Sequence, residues 1–161
     1  MMFYDAHSVK KGFNQLGGDA LERVQATHEF SRVLSRGRRK GMQARLRGRS
    51  RQLLNLNEIA QGNLREQRYG GTQTVPLEQI RGSEGRVREF DIEFNPVEEH
   101  IEQRWVGIAA AHMKGLRLPP VELLQVGDTY FVRDGHHRIS VARAYGQCEI
   151  DAVVTVIETK Q

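Results

Sequence analysis

The junction Asp134-Gly135-His136-His137-Arg138 constrains this chain more than any other stretch. Before it, Thr129-Tyr130-Phe131-Val132-Arg133 reads as a β-strand; after it, Ile139-Ser140-Val141-Ala142-Arg143-Ala144 reads as a helix that stops at Gly146. A glycine and three donor side chains therefore sit where a strand becomes a helix N-terminus. Such a place offers unpaired backbone N–H groups and the positive end of a dipole, which together favour phosphate or carboxylate. Arg138 adds a planar fork that can grip an anion through two parallel bonds. The segment predicts an anion site, with phosphate the leading ligand, made of Gly135, His136, His137 and Arg138, with Ser140 and Arg86 as further contacts.

The elements around the junction define the fold class. Thr74 to Ile80 reads as a strand carrying Val75, Leu77 and Ile80, and Arg81 to Glu89 as a loop with Gly82 and Gly85. Asn95-Pro96 reads as a helix start, with Pro at the first position and Glu98, Glu99 and Glu102 in the early turns. Ile101, Trp105, Ile108, Ala109 and His112 form its buried stripe, and Gly115 suits its end. Val121 to Gln125, a Gly127-Asp128 turn and Tyr130 to Arg133 make a hairpin, and Ala152 to Ile157 closes as a last strand. Strand, helix, hairpin, helix, strand is an α+β or α/β order. The expectation is an α+β domain over 72–161, preceded by a basic helical extension and linker over 1–71.

In that first segment, Ala20 to Ser35 lacks Gly and Pro and reads as a helix. Gly37 and Gly41 interrupt the pattern, and a second helix is expected over Met42 to Ile59. Gly62 to Thr74, with Gly70-Gly71, reads as a linker. Charge divides the same way: residues 1–70 hold 14 Lys and Arg against 6 Asp and Glu, and residues 71–161 hold 10 against 14. No acid lies between Glu29 and Glu58. Within that gap Arg36, Arg38, Arg39, Lys40, Arg45, Arg47, Arg49 and Arg51 are candidates for neutralising nucleic-acid phosphates. An anionic membrane surface, an acidic partner or the negative half of the chain itself would answer the same charge.

Composition excludes several classes. No apolar run approaches the ~20 residues that span a bilayer, and the start has no basic-then-apolar leader. Cys148 is the single cysteine, so neither an intrachain disulfide nor a cysteine metal cluster can form. The expectation is a cytoplasmic protein. Asp134 could ligate Mg²⁺ or cap the helix; Mg²⁺ would arrive with a nucleotide, held partly by its phosphates.

These residues resemble the ParB-like "nuclease" domain, of the ParB/sulfiredoxin fold, over about residues 72–158. The resemblance rests on Val75-Pro76-Leu77-Glu78-Gln79-Ile80, on Gly115-Leu116-Arg117-Leu118-Pro119-Pro120-Val121, and above all on Asp134 to Ala144 followed by Gly146. It implies a small mixed sheet with helices, a nucleotide ligand (ATP, ADP or CTP), association with DNA, and a homodimer as an open alternative. In partition proteins the equivalent box is Gly-Glu-Arg-Arg, so Gly135 and Arg138 match while His136 and His137 differ. In sulfiredoxin it is Gly-Cys-His-Arg; His136 stands where the cysteine would be, which rejects that activity. Free serine kinases of this fold have a box similar to Asp-Gly-His-His-Arg, which implies Glu84 as base with Asp134 and His137 beside it. No helix-turn-helix follows the domain, so a complete partition protein is not expected. A nuclease is disfavoured, because clustered carboxylates for a metal pair are not evident. Two readings result: a nucleotide-binding, DNA-associated domain with the option of NTPase turnover, and a small-molecule kinase.

Overall fold

The computed structural model describes residues 6–60 and 64–159, with side chains over 19–60 and 66–158. Met1 to Asp5, read above for a leader, and Gly62, the first residue of the expected linker, lie outside them. Among the described residues four α-helices, α1 (Ala6–Leu46), α2 (Leu56–Ala60), α3 (Glu102–Met113) and α4 (His136–Ala144), pack with six strands. The strands are β1 (Leu54–Asn55), β2 (Leu64–Pro76), β3 (Ile80–Ser83), β4 (Val121–Val126), β5 (Thr129–Asp134) and β6 (Glu149–Thr159). They form one mixed sheet in the order β1-β3-β5-β4-β6-β2, parallel at β1/β3, β3/β5 and β4/β6 and antiparallel at β5/β4 and β6/β2. This is an α+β fold, as the element order predicts. Among the described residues no helix is long and apolar enough to cross a membrane.

The hairpin β4–β5 turns at Gly127, whose φ of +58° suits a glycine, and α3 gives way to Gly115 at φ +69°. The core gathers Val121, Leu123 and Val132 of the hairpin, Ile139 and Val141 of α4, Val154 of β6, and Trp105 and Ala109 of α3. Inside it the indole N–H of Trp105 donates to Ser140 Oγ at 2.8 Å.

The first seventy residues differ from expectation. One 41-residue helix, α1, runs through Gly37 and Gly41 and takes in residues 42–46 of the expected second helix, of which only residues 56–59 are otherwise helical, in α2. Gly37 does not break α1; a Cβ there would lie 2.6 Å from the Pro96 carbonyl oxygen, so the glycine permits close approach to the 95–97 loop. Ala26, Phe30, Val33 and Leu34 of α1 belong to the core, with the Phe30 and Trp105 rings 5.6 Å apart. The expected linker is β2, paired along its length with β6; the register shifts between Tyr69 and Thr72, around Gly70-Gly71, which is a bulge. The boundary at 71/72 therefore falls inside a strand.

Two other boundaries move. The strand expected to Ile80 ends at Pro76; a 3₁₀ turn over Leu77–Gln79 follows, and β3 begins at Ile80. Asn95-Pro96 does not start a helix. The buried Asp91 carboxylate accepts from the Glu93 and Asn95 N–H groups and the Asn95 amide, closing a tight loop, and the helical turns begin at Glu99.

Candidate functional site

Gly135 makes the site possible. Its φ of +107° lies in the region L side chains rarely adopt, and a Cβ would sit 2.5 Å from Val121 Cγ1. The chain thereby turns from β5 into α4 without a side chain capping the helix. The start of α4 borders a cleft of about 100 Å³ lined by Arg86, Arg104, Arg133, Asp134, His136, His137 and Arg138. Four arginines and one carboxylate give it a strong positive bias. Three of these residues come from outside the junction: Arg86 from the loop after β3, Arg104 from α3, and Arg133 from the end of β5.

Both histidines are buried. Ser83 Oγ accepts from the N–H groups of Gly85 and Arg86, at 3.1 and 3.0 Å, and shares a hydrogen bond of 2.7 Å with His136 Nε2. This network holds the loop that carries Arg86 against the helix start. Phe90 stacks on His136 at 6.2 Å and meets His137 edge-on at 5.4 Å. His137 is 5% exposed, and its Nε2 has no hydrogen-bond partner. A buried ring nitrogen left without a partner costs free energy unless a ligand satisfies it.

Burial pushes both imidazoles from 6.5 to about 4; Arg86 and His137 add to this for His136, and Arg104 and Arg86 for His137, while Asp134 opposes it at His136, and Glu89 and then Asp134 oppose it at His137. A depressed folded value means that the unfolded chain takes up these protons first. The stabilising contribution is complete above pH 6.5 and falls as pH drops from 6.5 to about 4. Urea unfolding across that range should show the loss, and His137→Gln should make the slope shallower. An anion in the cleft raises the imidazole values, so phosphate should protect the protein most near pH 5.

Arg138 departs from the expected grip. Nη1 donates to the Pro119 and Pro120 carbonyls at 2.6 and 2.9 Å, and Nη2 to Asp134 Oδ2 at 2.8 Å. The fork clamps the loop before β4 to the helix start, so its N–H groups are engaged within the chain. Ser140 is corrected outright: its hydroxyl accepts from Trp105 in the core and cannot reach the cleft. Glu84 does not line the cleft; its carboxylate is held by Arg133 Nε and Nη2 at 3.1 and 3.4 Å. A carboxylate paired this way is a poor base. Glu84→Gln should change stability by less than about 1 kcal/mol, as for other exposed pairs, and leave phosphate affinity intact by calorimetry.

Asp134 offers a cation a single oxygen that Arg138 does not engage. One of its oxygens is committed to Arg138, and among the described residues no three His, Cys, Asp or Glu side chains converge.

The basic run is partly answered from within the chain. Arg38 pairs with Glu99, Lys40 with Glu93, and Arg51 with Asp91 and Glu93. Arg36 is half-buried beside Lys40 and Glu93. Arg39, Arg45, Arg47 and Arg49 remain exposed. Sequence reasoning missed Arg104, Arg133, Ser83 and Phe90; Arg133 alone had a signal, as the residue entering the junction.

Fold and site together define an α+β protein with a buried-histidine, arginine-lined cleft at a strand-to-helix turn. No known family's sequence profile matches the chain, and no curated protein matches it. Among solved structures, the chain is similar to sulfiredoxin from Arabidopsis thaliana, with 25% identity, a TM-score of 0.36, and coverage of 52% of this chain and 82% of that one.

Proposed function

We propose that this protein binds the phosphate of a nucleotide in the cleft at the start of α4 and works in association with nucleic acid. The observation that carries the first part is a cleft lined by four arginines and one acid, Asp134, which Arg138 already engages, beside the buried and unpartnered Nε2 of His137. Arg86 and Arg133 pair with Glu89 and Glu84, which do not line it, and Arg104 has no acidic partner among the described residues. Arg86 and Arg104 supply the charge, the first-turn N–H groups receive phosphate oxygens, and His137 supplies the remaining bond. Mg²⁺ would enter only as the counter-ion of a longer phosphate chain. The exposed Arg39, Arg45, Arg47 and Arg49 support the second part.

Phosphoryl transfer to a small hydroxyl compound is the weaker reading, because the expected base, Glu84, is tied to Arg133. Calorimetric titration with inorganic phosphate, ATP, ADP and CTP tests the proposal. Each arginine removed from the cleft, in Arg86→Ala or Arg104→Ala, should weaken binding about 10- to 100-fold, the worth of one charge-assisted bond. Unchanged affinity in both variants would refute it.

A further inference from the structure

The arginines that face away from the cleft border a second concavity. Between the C-terminal half of α1 and the segment 87–98 lies a groove of about 630 Å³, lined by Arg38, Arg45, Arg49, Arg51 and Arg88. Its acids are Asp91, whose carboxylate is already engaged by Arg51 and by N–H groups of residues 93 and 95, and Glu98. Arg38 and Arg51 have acidic partners, whereas Arg45, Arg49 and Arg88 are exposed and pair with no acid among the described residues. Gly41 leaves the wall open: a Cβ there would meet nothing within 4 Å. Like charges gathered in one concavity repel, and an external polyanion relieves that repulsion.

We propose that this groove holds the backbone of a single-stranded nucleic acid. The proposal rests on the nucleic-acid part of the reading above and gives it a location. The lining cations are all arginines, whose planar, weakly hydrated forks match the paired oxygens of a phosphodiester. A flat bilayer surface cannot enter a concave wall, and a duplex presents a broad convex face where one strand can thread. Phe90 lies at the groove but is buried, so the bases find no stacking platform. Recognition is of backbone, without sequence preference.

Fluorescence anisotropy with a labelled oligothymidylate tests this on the full chain. With three unpaired arginines on phosphates, log affinity should fall against log salt with a slope of about −2, from ~0.7 per contact on a single strand. The triple variant Arg45→Gln, Arg49→Gln, Arg88→Gln should lose at least about tenfold in affinity, about 1.4 kcal/mol. Gly41→Glu should lose as much, since it puts a carboxylate into the groove at a helix position that accepts a side chain, and its melting temperature should not fall. Arg23→Gln with Arg117→Gln, which removes exposed charge outside the groove, should leave the affinity nearly unchanged. Equal losses from the groove and outside variants would overturn the groove while nucleic-acid association stood. Tighter binding of duplex, of polyglutamate or of anionic vesicles than of the single strand would overturn it in favour of those partners. No salt-dependent binding to any nucleic acid would overturn both this proposal and the reading it rests on.

Discussion

Gly135→Ala is expected to destabilise the protein by about 2–6 kcal/mol and to erase phosphate binding together with the fold of the turn. Two costs add. A non-glycine residue held in a sparsely populated positive-φ region costs about 1–3 kcal/mol, and Gly135 sits at φ +107°. Overpacking costs about 1–3 kcal/mol more, because the new methyl would lie 2.5 Å from Val121 Cγ1 and 2.8 Å from its Cβ. Val121 starts β4 and is fully buried beneath the turn, so neither side can yield cheaply. Urea unfolding should show a lower midpoint, and any folded fraction should have lost the alignment of the first-turn N–H groups. Near-native stability would mean that the turn is soft and the cleft not preorganised.

Phe30→Ala should cost about 3–5 kcal/mol, the range for removing a large buried aromatic. Phe30 is 1% exposed and packs on the Trp105 ring, whose indole anchors Ser140 and hence the middle of α4. The helix that carries the basic run is therefore bound into the core that positions the site. A detachable arm would give a change near zero in the same denaturation experiment, and that outcome would restore the two-part division expected from sequence.

The hairpin and the 134–138 turn were legible because their signals are local: alternating apolar residues, Gly127, and a glycine placed just before a helix. The same locality misled elsewhere. Gly37 looks like a helix break in sequence, yet its purpose is the approach of Pro96, 59 residues away. β2 looked like a linker because it is an edge strand; Glu66 to Tyr69 are exposed, so they carry no apolar alternation, and Gly70-Gly71 is a bulge rather than a hinge. In the site, the helix-start N–H groups and the two histidines were readable. Arg104 was not, since its arrival depends on how α3 packs against α4. The role of Arg138 was readable only in part, because the Pro119 and Pro120 carbonyls compete with any anion for its fork. Ser140 was misplaced because the helical register turns it toward Trp105.

The unpartnered Nε2 of His137 offers the most direct test of phosphate binding in the cleft. In protein labelled with ¹⁵N at histidine, titration with inorganic phosphate and then with ATP, ADP and CTP should move the His137 ring resonance saturably. The same titration of the Arg86→Ala, Arg104→Ala double variant should leave it in place. A His137 signal unmoved by millimolar phosphate or nucleotide, or one that moves equally in the double variant, would contradict the assignment of this cleft as a phosphate site.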